Sequence, residues 1–522
     1  MKFKYLTIFL FLFLLVCSAN AIYAATDDNV LELDQSDNII STDNDMELSQ
    51  SDSDSLSASQ DEIISSSNED AVLSATASET SSSTTTSVSS IKKFTNDIEN
   101  KKTDINLTGD IKISKPFVIR HNAVINGQGH IVDGQKQTRL FEVRAATVTF
   151  KNFIFKNGKS NQGAAIYGYL STIKLKNCTF LNNKATDNGG AIYISSGKVN
   201  AYKSTFTNNF AKNNGGAIYA TSSNVIIKNS LFKKNLVKNG KKEGHGGAVY
   251  TYKKSSIITN SKFISNYCLS TALKKHSKAT KYQFSAGAVY YNLGGTHTLT
   301  GCKFSGNRAS NHGGAVYALK SKAVKMTKCV FNNNKVLWED GGAITFNGNK
   351  LTIRKSNFTK NHAYEDGGVM DTCTRAKNKV RVIITGSNFN GNYAYKGGGC
   401  IWMGVKTYYT MKNNKFISNE AGMGGAFFSE DARAKVSNCI FQGNKARNIP
   451  KWQVHNKGGG ILKNYGGAVL MQNKKLQLIR CTFIKNRANA GGAIFHMGGK
   501  LALSKNKFSA NKAKRGAKIQ KG

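Results

Sequence analysis

Two acidic pairs, Glu339-Asp340 and Glu365-Asp366, each stand directly before a Gly-Gly pair and lie 26 residues apart. Asp371 follows the second pair, and His312 holds the matching place before Gly313-Gly314 one repeat earlier. Carboxylates repeated in this way suit two chemistries. Stacked on neighbouring turns of a regular fold they would stand about 5 Å apart, and on alternate turns about 10 Å, near the separations that cleave glycosidic bonds. The same oxygens, Asp340 and Asp366 first, could ligate Ca2+. A third account is structural, with Asx side chains serving a sharp corner, because the slot before Gly-Gly is elsewhere Asn188, Asn214 or Met423. The structural account is the expectation, so no catalytic residue, metal or cofactor is assigned. No other nucleophile, phosphate-loop or nucleotide signature accompanies the cluster.

A second set of residues could bind rather than react. The position after Gly-Gly-Ala-Ile, or its variants, is Tyr193, Tyr219, Tyr250, Tyr290, Tyr317, Thr345, Asp371 and Trp402 in successive repeats. Strand alternation puts it opposite the inward Ile/Val positions, and Thr345 and Asp371 in the series argue for an outward direction. Two outcomes follow: an exposed aromatic ladder for sugar rings or a partner strand, or a half-buried stack covered by neighbouring loops. Three long insertions, about 236–245, 267–285 and 445–465, fall at one place in the repeat and predict one decorated edge. The last carries Trp452 and His455, and the middle one Lys274, Lys275, His276, Lys278 and Lys281.

The element that must position these residues is a repeat. Phe-x-x-Asn recurs from Phe180 and Phe206 through Phe483 and Phe508, and each copy precedes Gly-Gly-Ala or a near variant. Between them runs a two-residue alternation, as in Leu351-x-Ile353 and Leu476-x-Leu478, with no helical periodicity. The chain has only two prolines, Pro116 and Pro450, so ladder hydrogen bonds are hardly interrupted. A coil of about 26 residues cannot bury its own apolar side, whereas stacked coils can. The pattern predicts an all-β, single-stranded, right-handed parallel β-helix of about thirteen or more coils, with Phe stacked on Phe and the Asn of Phe-x-x-Asn forming an internal amide ladder. Residues 151–522 form the repeat domain. Residues 91–150 should supply an N-terminal cap, with Ile91, Phe94 and Ile98 on one helix face, and less regular first coils. The last coil opens at Arg515-Gly516-Ala517 and the sequence stops at Gly522, so the C-terminal end is expected to be uncapped.

Composition gives the address. Residues 1–25 read as a secretory signal peptide: Lys2 and Lys4, an apolar run from Tyr5 to Cys17, then Ala19-Asn20-Ala21. No later stretch is long and apolar enough to span a bilayer. Residues 26–90 carry 15 Asp/Glu, no Lys or Arg and much Ser/Thr, and predict a disordered linker. The remaining residues, 91–522, hold 71 Lys/Arg and 16 Asp/Glu, a net +55 beside +42 for the whole chain. Such a field attracts polyanions, and its scatter through every repeat argues for a general solvated field over a base-reading groove, so nucleic acid is expected as a nonspecific partner at most. Nine cysteines show neither Cys-x-x-Cys nor a Cys/His cluster. Five of them, Cys178, Cys302, Cys329, Cys439 and Cys481, lie two residues before a repeat Phe in a slot otherwise Ser or Asn, and free thiols are expected.

At the Gly-Gly-Ala and Phe-x-x-Asn motifs the chain resembles the adhesin-like surface proteins of methanogenic archaea and the chlamydial polymorphic membrane proteins. The resemblance covers residues 155–522. The segment Ile125 to Gly134 is similar to the opening of pectate-lyase-like β-helix domains. The resemblance implies an exported, surface-displayed rod that adheres to anionic glycan, wall polymer or surface protein, and it implies no catalytic residues. The lack of a C-terminal barrel and the acidic Ser-rich lead favour the archaeal group. A polysaccharide lyase or glycoside hydrolase is the alternative, resting on Asp340, Asp366, Glu339, Glu365 and Asp371.

Overall fold

The computed structural model describes residues 83–239, 242–271, 283–372, 379–448 and 464–522. The chain runs as successive coils of short strands, and every pair of neighbouring strands is parallel. One coil shows how. Ile192–Ser195 and Lys198–Tyr202 lie in a 28-stranded sheet, Thr205–Thr207 in a 15-stranded sheet, and Phe210–Ala211 in an 11-stranded sheet. The fifteen strands of the second sheet fit the expectation of thirteen or more coils. Residues 104–150, read from sequence as less regular, also form paired coils, because Phe141 and Phe150 stack in the same columns as the later Ile and Leu residues.

The interior is a set of columns. Phe180, Phe206, Phe232 and Phe263 lie in register, fully buried, with ring centroids 4.5–4.8 Å apart and planes within 8°. Each buried ring contributes about 1.5–3 kcal/mol by area, and the stacking adds more. The corner after each Phe needs a left-handed residue, as at Asn182, Asn208 and Lys234 (φ 56°, 54° and 55°). The next residue is the ladder Asn. Asn361 donates its Nδ2 to Phe331 O at 3.0 Å and to Asn392 Oδ1 at 3.0 Å, and its own Oδ1 accepts from Asn334 Nδ2 at 2.9 Å. The predicted amide ladder therefore runs with every donor satisfied.

The cysteine slot forms a second ladder. The backbone N–H of Cys178 donates to Ser204 Oγ, and that of Ser204 to Ser230 Oγ. The cysteines Cys178, Cys268, Cys302, Cys329, Cys400, Cys439 and Cys481 are free thiols, and burial pushes the Cys178 thiol up to about 11.

The first coils are covered by a helix, Ser83–Glu99, which begins inside the stretch expected to be linker. Phe94 is buried against Phe117 at 4.9 Å, and Ile98 is buried as well. The proposed signal peptide and the linker up to residue 82 lie outside the described residues. The expected loops 236–245, 267–285 and 445–465 begin as strands of the third sheet, Leu236–Asn239, Tyr267–Ser270 and Lys445–Ala446.

Candidate functional site

The carboxylates do converge. One oxygen each from Asp340, Glu365 and Asp366 lies within 4.8 Å of the others, on half-buried side chains. They meet because coils 26 residues apart present the same corner in register. Each of these residues already has a partner in the fold. Asp340 Oδ1 accepts the N–H of Asp366 at 3.0 Å, and Asp366 Oδ1 accepts that of Gly397 at 2.8 Å. Glu339 meets His312 Nε2 at 2.7 Å and also accepts from Asn311 Nδ2. Glu365 meets Lys396 Nζ at 2.5 Å. Asn214 donates to Asn188 in the matching slot of earlier coils, so four coils use Asx side chains at this corner.

Electrostatics at this corner follow burial. Burial lifts the Asp340 carboxyl to about 6, with His312 opposing the lift. Burial, reinforced by neighbouring Asp340, pushes Asp366 up further. Burial also disfavours a charged His312, but the bond to Glu339 and the nearby Asp340 and Asp371 outweigh it and hold the imidazole above its usual range. Asp340, Glu365 and Asp366 are the residues that could hold a cation; three oxygens are fewer than the six to eight Ca2+ takes. The arrangement is a stack of hydrogen-bonded carboxyls along one corner, unlike two free carboxyls facing each other across a substrate gap.

Asp371 and Thr345 correct the aromatic-column expectation. Both are buried, with 2% and 1% exposure, and neither faces water. Tyr250 and Tyr290 are also buried, while Tyr193, Tyr219, Tyr317 and Trp402 are half-buried. Alternation did place the column away from the inward Ile/Val side. What it could not show is that the Gly-Gly corner folds the preceding residues over the rings. His245 stacks on Tyr290 at 4.3 Å, and a Cβ on Gly397 would stand 2.5 Å from the Trp402 ring. The exposed ladder is therefore a covered stack, with Tyr193–Tyr219 at 5.1 Å and Tyr219–Tyr250 at 4.9 Å, broken where Tyr317 turns edge-on to Tyr290. Trp452 and His455 lie outside the described residues, as do the five basic residues of the middle insertion.

Two groupings escaped sequence reasoning. Trp338, Tyr364 and Tyr395 form a half-exposed stair beside the carboxylates, with centroid steps of 6.0 and 5.2 Å. The signal was present as an aromatic immediately before a charged residue in three successive coils: Trp338-Glu339, Tyr364-Glu365, Tyr395-Lys396. The other grouping is inside. Ser256 and His297 sit in the column held elsewhere by Val225 and Val324, bonded Oγ to Nδ1 at 3.0 Å. Burial pushes His297 down to about 3, so it is a neutral core residue stacked on Tyr291 at 3.8 Å.

A recess between the coils, lined by Asp187, Lys212, Asn213 and Lys242 among others, holds about 280 Å³. That is small beside the roughly 300–1,000 Å³ of ligand pockets.

A search of curated proteins and a search of solved structures each found no match. A family model described as right handed beta helix region matches residues 117–284, 275–449 and 372–522. The matched segments span the coils from Phe117 to the end of the sequence, and the chain belongs to this right-handed β-helix family.

Proposed function

We propose that this chain is an exported, adhesin-like surface protein whose β-helix binds anionic glycan, wall polymer or surface protein. The observation that carries the reading is the charge on the outer face of the long sheet. Lys176, Lys228, Arg354 and Lys412 occupy one register column, exposed, with Thr at several intervening positions. These exposed cations stand two to four rungs apart along the sheet, where a polyanion laid along the column would meet them in turn. The sequence of residues 1–25 supports export. No helix among the described residues is long and apolar enough to cross a membrane.

A carbohydrate-active enzyme is the second reading, favoured by the raised carboxyl of Asp340 beside Asp366. The two readings separate in one experiment. The mature protein and an Asp340→Asn/Asp366→Asn variant are passed over immobilised uronic-acid polymer in a salt gradient, and the eluted polymer is assayed for new reducing ends and unsaturated products. The interaction reading expects retention that weakens with salt, as surface electrostatics require, and is equal for both proteins. Cleavage that disappears in the variant would establish the enzyme, and retention indifferent to salt would sink the electrostatic reading.

A further inference from the structure

We propose that the stair of Trp338, Tyr364 and Tyr395 is a subsite for an uncharged polysaccharide chain, separate from the lysine-lined face. The proposal rests on the reading of this β-helix as a glycan-binding surface and adds a ligand class to it. Three rings come from three successive coils, at centroid steps of 6.0 and 5.2 Å and interplanar angles of 53° and 54°. All three are half-buried, so each keeps part of its ring accessible, whereas Tyr250 and Tyr290 of the tyrosine column are buried. A coil rise is about the length of one pyranose ring, so an extended chain laid along the stair meets one aromatic ring per sugar. Flat rings with apolar faces and polar tips suit the alternating C–H and O–H faces of a sugar.

The stair is also held in place. Tyr395 packs on Tyr393 at 5.0 Å and on His362 at 5.5 Å, and the Arg447 guanidinium lies 4.5 Å over Tyr393 and 6.0 Å from Tyr395. Rings that do not need to be ordered on binding cost less affinity.

Charge selects the class. Directly after two of the stair residues come Glu339 and Glu365, paired with His312 and Lys396. Asp340 and Asp366 lie on the same corner. In a chain of net charge +42 each cation here is matched, His312 by Glu339, Lys396 by Glu365 and Arg447 by Glu420, so the corner does not attract an anionic sugar. Carboxylate oxygens accept hydrogen bonds from sugar hydroxyls, and a neutral hexopyranose chain offers such donors at every ring.

The test uses the mature full-length protein in high salt, where binding of polyanions to the lysine face is screened. Neutral hexasaccharides of glucose, mannose, galactose and N-acetylglucosamine are titrated by calorimetry. At least one is expected to bind. Trp338→Leu and Tyr364→Leu should each weaken it by roughly tenfold, while Tyr169→Leu and Tyr202→Leu, at exposed tyrosines away from the stair, should not. Should a leucine variant fail to fold, nitration of the wild type gives the second measurement. The bound saccharide should protect Tyr364 and Tyr395, read by peptide mass spectrometry, and leave Tyr169 reactive. Binding of none of the four, equal binding by the folded variants, or no protection would overturn the proposal. Salt-sensitive retention on uronic-acid polymer reports the broader reading independently, so either can fail alone.

Discussion

Asp340 carries a proton cost that fixes the direction of a stability change. In the unfolded chain its carboxyl titrates near 3.9, and burial raises it to about 6 in the fold. Between those values the folded state binds more protons, so unfolding free energy falls as pH rises through that window. Replacing Asp340 by Asn removes the cost and keeps an Oδ1 acceptor for the Asp366 N–H. Asp340→Asn is expected to be more stable than wild type at neutral pH by about 1–3 kcal/mol, with the gap closing near pH 4. Denaturant midpoints measured across that range check it, and a gap that widens on acidification would refute the burial argument. At this scale the sequence spoke unevenly. The register of Asp340 with Asp366 was legible because identical spacing stacks identical residues. Their hydrogen bonds to Asp366 N and Gly397 N were not, because those depend on how the backbone turns at the corner. The burial of Asp371 was illegible for the same reason: it is set by what folds over the column, and alternation along one strand carries no information about that.

The Gly-Gly corner is where the element makes its demands, and its two glycines answer to different forces. The first takes a positive φ, as at Gly313 with +62°. A Cβ on Gly313 would stand 2.4 Å from Val316 O of its own coil, but Ala286 fills that slot in the preceding coil at +63°, so the corner can give locally and the cost there is chiefly conformational. The second is Gly in every coil from Gly190 to Gly492, and a Cβ on Gly314 would lie 2.1 Å from Gly342 O of the next coil. No flexible side chain can yield, because the obstacle is backbone. Gly313→Ala should therefore cost about 1–2 kcal/mol, the usual strain of a left-handed alanine. Gly314→Ala should cost about 4 kcal/mol or more, since two coils must separate. Thermal melts of the two variants test the order, and equal losses would mean that φ rather than inter-coil contact governs the corner. The coil itself was legible in advance because period-two alternation, Phe-x-x-Asn and Gly-Gly-Ala each constrain one side of the same triangle. The first coils were harder to read, since Phe141, Phe150 and Phe153 fill the interior with edge-to-face packing in place of the regular stack.

At the scale of the whole molecule, stacking makes stability a sum of neighbour terms, because each coil touches only the one before and the one after. Nothing in the Phe206 coil is then unique to it. Phe206 rests on Phe180 and Phe232, Asn209 on Asn183 and Asn235, and Tyr219 on Tyr193 and Tyr250. Excising residues 207–232 would bring Phe206 against Phe263, Asn183 against Asn235 and Tyr193 against Tyr250, so every column closes with a residue of its own kind. The shortened chain should fold, keep its β-sheet circular dichroism and melt cooperatively. Excising only 207–219 should fail, because it sets Gly-Gly corners against strand positions and leaves the Asn ladder with a gap of buried, unpaired amides. Both excisions leave the carboxylate corner and the aromatic stair untouched, so glycan binding by the first would show that the sites need only their local coils. A full-coil excision that unfolds the protein would instead reveal a cooperative dependence on total length, which nearest-neighbour stacking does not contain.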